Sequence, residues 1–329
     1  MNKMFDFLKR SRGDIGKVEA FGKIATLGDF VRTPSPSEQI LAFEGWLARA
    51  MERGEERGVN AFKEAFLAGP TIGFIWSGPL EKKNRALVGG VIHPSVDAVG
   101  RRFPIVIAAP LPQALFEKRP HATALVMHEF FVEAEAAAVR AKSAQSAAEF
   151  QAAVIGVHSP RMNIDGIVTA YDDWTVRSRA SDLWQQLFGD DAERGARWAL
   201  YMIVEAMRPY RGQELPPLAL GMRVPLGPDR RHTSALWIDL VRSAAGWKST
   251  VPSAFFPLSG AQSGLIQLGG EAPATVLEDL YTPDADRESV CDATPAPTSK
   301  MPSSMPDPVA RATASDGALL RDVVAELAK

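Results

Sequence analysis

His93, Ser95 and Asp97 stand at alternating positions in the segment His93-Pro-Ser-Val-Asp97. An imidazole, a hydroxyl and a carboxylate are the parts of a nucleophilic triad, and alternate residues of an extended segment share one face. A triad needs its histidine between the other two groups, however, and neighbours on one strand do not converge in that way. Pro94 disturbs regular strand geometry, and no Gly-x-Ser-x-Gly elbow surrounds Ser95. The favoured reading is a turn in which Ser95 and Asp97 satisfy nearby backbone N–H groups.

The remaining chemical templates fit less well. His121 and His128 lie nearly two helical turns apart, about 10 Å along the axis, too far to share one ion without reaching side chains. No His-Glu-x-x-His occurs, so no metal is expected. Gly22-Lys23 and Gly28-Asp29 lack the spacing of a phosphate-binding loop, and no nucleotide or other cofactor is expected. Arg101-Arg102 and Arg230-Arg231 suit bidentate contact with an acidic loop or a phosphate, or simply solvated turns. The tryptophans fall mostly inside apolar elements, which makes them core; Trp174, after Tyr171-Asp-Asp173, is the one expected to be half-exposed.

Those residues must be positioned by alternating α and β elements. Ser35-Pro-Ser-Glu38 has the form of a capping box with Pro36 at the first helical position. Ile40, Leu41, Phe43, Leu47, Ala50 and Met51 then follow at helical spacing until Gly54 and Gly58. A short helix is expected over Val59–Leu67. Strand patterns at Thr71–Trp76, Arg85–Ile92 and Phe103–Pro110 predict an antiparallel meander. Helices follow at Pro120–Ala141, Ser146–Val154, Ser181–Phe188 and Asp191–Met207. The pattern then reads strand Leu218–Val224, helix Thr233–Ala244, strands Ala254–Leu258 and Leu265–Leu268, and helix Ala274–Leu280, as if one sheet were being completed.

Composition sets the frame. The chain has 329 residues, 46% hydrophobic and 23% charged, enough for a sizeable core. A formal net charge of −2 gives no basic field for nucleic acid, and no apolar run approaches a transmembrane span. The lone Cys291 excludes an intrachain disulfide framework and fits a reducing cytoplasm. The expected organisation is an N-terminal arm over 1–18 and an α/β domain over 19–281, with a subdivision considered near 115–215. A Pro-, Ser- and Thr-rich tail over 282–329 is expected to be disordered except for a short amphipathic helix at 316–328. The fold class is α/β, with a mixed or mainly antiparallel sheet flanked by helices.

Two glycine-bearing blocks carry a family resemblance: Phe21–Arg32, with Gly22-Lys23 and Gly28-Asp-Phe-Val31, and Pro94-Ser-Val-Asp-Ala-Val-Gly-Arg101 followed by Phe103-Pro104. Between them, Phe43-Glu-Gly-Trp-Leu47 resembles an aromatic-acidic-x-Trp-Leu helix, with Phe43 and Glu44 where tryptophan and aspartate are more usual. Together they resemble the TagF/ImpM family associated with type VI secretion. That resemblance implies a non-catalytic posttranslational repressor of the secretion machine that binds its forkhead-associated scaffold protein and counters its kinase-driven activation, with a phosphatase/kinase pathway as a further partner. It also implies a cytoplasmic location, with any recruitment to the inner membrane left to the partner. The residues it offers for partner binding are Gly28, Asp29, Phe30, Arg32, Ser95, Asp97, Arg101 and Arg102, with none assigned to catalysis. The alternatives are a hydrolase using His93, Ser95 and Asp97, or a structural adaptor that docks through its C-terminal helix. The two blocks are expected to meet in space.

Overall fold

The computed structural model describes residues 16–57, 61–78, 86–214, 219–260, 263–269, 271–282 and 289–329. The expected arm at 1–18 therefore lies outside the described residues up to residue 15. Strands β1 (Glu19–Gly22), β2 (Val31–Arg32), β3 (Ile72–Ser77), β4 (Leu87–His93), β5 (Ile105–Leu111), β6 (Gly221–Val224), β7 (Ala254–Pro257), β8 (Gly264–Gln267) and β9 (Val290–Asp292) form one sheet. Their order is β2-β1-β5-β4-β3-β7-β8-β6-β9. Among the described residues only β6 and β9 pair in parallel, so the sheet is mixed and mainly antiparallel, as expected.

The meander has the register Ile72↔Ile92 between β3 and β4 and His93↔Ile105 between β4 and β5. Its second half joins through β3 and β7, where Ile72 faces Pro257. Such close strands demand small residues at their crossings. A Cβ on Gly90 would sit 2.5 Å from the Ala108 Cβ.

Alternation along the strands gives the sheet two buried faces. Ile72, Phe74 and Trp76 of β3 face helices α1 (Glu38–Arg57) and α2 (Ala61–Ala68). Phe43 stacks on Phe74 with ring centroids 4.2 Å apart, and the Trp46 indole N–H donates to the Ala272 carbonyl at 2.8 Å. Ile75, Val91, Ile105 and Ile107 face the opposite layer. That layer follows the turn α3 (Gln113–Phe116) and contains α4 (Ala122–Lys142), α5 (Ala147–Ile155), α6 (Ile164–Thr175), α7 (Ala180–Phe188), α8 (Ala192–Met207) and α9 (Arg230–Ala245). The short α10 (Val276–Tyr281) returns to the first layer, against α1 and α2.

Several local expectations change. Helix α1 begins at Glu38, and it is Ser37, not Ser35, whose hydroxyl accepts from the Ile40 N–H. The helix also runs through Gly54, because a Cβ there would strike the Phe62 ring at 2.6 Å; the glycine permits close approach and does not end the helix. Helix α6, which apolar spacing alone did not reveal, is capped by the Asn163 side chain accepting from the Gly166 N–H.

The tail is the largest correction. Strand β9 (Val290–Asp292) extends the sheet along β6, and the chain continues into α11 (Asp307–Ala312) and α12 (Leu320–Leu327). Val309, Leu320, Val323 and Leu327 are buried in the second layer, with α12 against α9 and α6. A segment poor in apolar residues is ordered here because α8 and α9 supply the surface it covers. The expected short helix falls at α12.

Candidate functional site

Lys23 follows β1 directly, and the turn Ser95–Arg102 lies between β4 and β5. Since β1 pairs with β5, the sheet itself carries the first block to the second. Gly22 permits the closest step of that approach. Its φ is 151°, and a Cβ at this position would lie 2.4 Å from the Pro104 carbonyl oxygen; both features require glycine.

Asp97 is the centre of the assembly. Its buried carboxylate accepts from the Lys23 ammonium at 2.9 Å and the Arg101 Nε at 2.7 Å, both on Oδ2. Oδ1 accepts the backbone N–H groups of Val99 at 3.0 Å and Arg101 at 2.8 Å. Burial pushes this carboxyl up, but Lys23, Arg101 and the two backbone donors outweigh it and hold it well below the usual carboxylate range. The Arg101 guanidinium also donates to the Gly28 carbonyl, and the Ala98 N–H donates to the Leu27 carbonyl at 3.1 Å. Gly100, at φ 88°, makes the left-handed step that closes the turn. The two blocks therefore meet, as the sequence predicts.

Their residues divide into two kinds. Ser95 and Asp97 are buried, whereas Asp29, Phe30, Arg32 and Arg101 are exposed and Gly28 and Arg102 are half-buried. Arg32 pairs with Glu44 at 3.0 Å, and Phe30 lies edge-on to Phe103 with centroids 4.7 Å apart. Arg102 forms an isolated bridge with Val96. Lys23 is the residue that sequence reasoning did not single out. It lies 74 positions from its partner Asp97, and its only signal was its place in the Gly22-Lys23 pair.

The triad geometry is not formed. The Ser95 hydroxyl donates to the Lys23 carbonyl at 2.7 Å, a correction to the expected acceptance from a backbone N–H. His93 contacts Thr71 through Nδ1 at 2.9 Å instead of turning to Ser95. Burial, and secondarily Lys142, lower the His93 pKa to about 4.

Other candidates are engaged structurally. His121 is buried against Tyr171, with centroids 4.7 Å apart, and its Nδ1 lies 3.5 Å from Asp239. His128 lines a separate small pocket with Arg231. Arg230 donates to the carbonyls of Pro257 and Gly260. Trp174 is half-buried and stacks on His232 at 4.9 Å. Among the described residues, no cluster of three or more His, Cys, Asp or Glu converges on a metal site, and no helix is long and apolar enough to cross a membrane.

A helix-flanked mixed sheet whose two glycine blocks are tied by one buried carboxylate defines a class of α/β protein with braced surface loops. Residues 19–156 match the family model of the TagF N-terminal domain, type VI secretion system-associated. All five strands from β1 to β5 and the whole Asp97 assembly lie inside the match. The crystal structure of PA0076 from Pseudomonas aeruginosa PAO1 is similar, with 19% identity and a TM-score of 0.48 over 82% of this chain and 96% of that one. A comparison with curated proteins finds no match.

Proposed function

We propose that this chain is a non-catalytic, cytoplasmic repressor of a type VI secretion system that acts by binding the system's forkhead-associated scaffold protein. The carrying observation is the Asp97 assembly within the TagF domain. The donors around that carboxylate shape the blocks: the Val99 and Arg101 N–H groups close the Ser95–Arg102 turn, Lys23 ties the turn to the end of β1, and the Arg101 guanidinium reaches the Gly28 carbonyl. Ser95 and Asp97 act from inside as positioning residues. Asp29, Phe30, Arg32 and Arg101 present the contact surface, which a rigid loop offers with little ordering entropy on binding.

Two experiments test this reading. Deletion of the gene should derepress secretion, and the purified chain should retain the cognate forkhead-associated protein in a pull-down. Normal secretion in the deletion strain together with no retention would refute it.

A further inference from the structure

Helix α4 turns Phe130, Ala134, Ala137 and Ala141 into the core. Its opposite side carries Val132, 59% exposed, and Val139, 53% exposed, with the exposed Ala136 between them. Their seven-residue spacing sets the two valines on one stripe, about 10 Å apart along the axis. The outer face of a core-facing helix is normally polar, and β-branched residues also lower helix propensity, so these valines serve neither solvation nor the helix. Glu135 and Lys142 stand beside the stripe on one flank, also seven residues apart and both half-buried. Neither makes an ion pair among the described residues. Arg231 lines the same small pocket as Glu135, but no ion pair joins the two. Burial lowers the Lys142 pKa, the mark of a cation short of a counter-charge. On the other flank the charges are already engaged: Glu129 with Arg161 at 3.7 Å, Glu133 with His158 at 3.0 Å, and Arg140 with the Ala153 carbonyl at 3.4 Å.

We infer that this stripe packs against the same stripe of a second copy of the chain, with α4 antiparallel to α4 about a twofold axis beside Val139. Such an axis sets each residue opposite the one equally far beyond it in the other copy. Glu135 then faces Lys142 of the second copy, and Lys142 faces Glu135 of the second copy, while the two Val139 side chains cover each other. Both unpaired charges are answered by one operation, and the desolvated ammonium gains its carboxylate. A parallel alignment would set Glu135 against Glu135 and Lys142 against Lys142, which like-charge repulsion disfavours. A contact of a few helical turns falls below the roughly 1,200 Å² of a standard interface, so the pairing is weak and depends on concentration. None of these residues belongs to the Asp97 assembly.

The test is sedimentation equilibrium of the full chain at low salt, from about 10 μM to about 1 mM, the range in which a weak interface dissociates. The expected result is a reversible monomer–dimer equilibrium that weakens as salt is added. Glu135→Lys and Lys142→Glu should each weaken it about tenfold, because each sets like charges across the axis. Val139→Lys should do the same by bringing two ammonium groups together at the axis. The exchange variant Glu135→Lys/Lys142→Glu rebuilds both pairs with their signs reversed and should return to within about threefold of wild type. Urea midpoints near that of wild type show that the variants fold. A chain that stays monomeric at the highest concentration, dimers that the single variants leave unchanged, or an exchange variant no better than the single ones would overturn the inference.

Discussion

Substitution of Leu327 by alanine distinguishes a docked tail from a solvated one. Leu327 and Leu320 are both fully buried, on the face of α12 that meets α9 and α6. Removing a buried leucine side chain costs about 2–5 kcal/mol, depending on how far the site relaxes. An exposed position such as Leu41, 45% exposed on α1, should shift stability by no more than about 0.5 kcal/mol when changed to alanine. Urea unfolding of the full chain reads the difference through the midpoint at constant slope. Helix α12 has only 8 residues and is marginal by itself, so hydrogen exchange of residues 318–329 is followed in the same samples. Leu327→Ala should either lower the midpoint or accelerate tail exchange by about 30-fold or more, the factor that 2 kcal/mol represents. Tail exchange at the free-peptide rate in the wild type, with no effect of Leu327→Ala on either readout, would refute docking.

Three further outcomes follow from the same structure. The His93 pKa is lowered to about 4 in the fold, below its unfolded value near 6.5, so the neutral ring's contribution is present above about 6.5 and is lost as pH falls toward 4. His93→Gln should flatten the dependence of the urea midpoint on pH between 6.5 and 4; an unchanged slope would contradict it. Gly22→Ala should destabilise the chain by about 1–3 kcal/mol in urea unfolding, because its Cβ meets the Pro104 carbonyl oxygen at 2.4 Å. A fragment ending at residue 156 exposes the edge of β3 that β7 covers, and should elute from a sizing column as aggregates, not as a monomer.

The meander was legible because Ile72, Phe74 and Trp76 alternate with smaller or opposite-facing residues, and that period survives folding. The meeting of the two blocks was likewise legible from their shared composition. Lys23 was not, since a pair 74 positions apart becomes visible only when β1 is set beside β5. The order of the tail was hidden for a related reason. Val309, Leu320, Val323 and Leu327 are too few to form a core, but they suffice to cover one that α8 and α9 leave open. Composition measures what a segment can bury by itself, and this segment buries its side chains against distant helices.

The central claim is that the braced blocks form a binding surface. Isothermal titration of the purified full chain into its cognate forkhead-associated protein tests it most directly, alongside the exposed-surface variant Asp29→Lys/Arg32→Ala, which leaves the Asp97 assembly intact. Saturable binding by the wild type, weakened about tenfold or more by the double variant while its urea midpoint stays near wild type, is the predicted result. No heat of binding from the wild type, or equal affinity in both proteins, would contradict it.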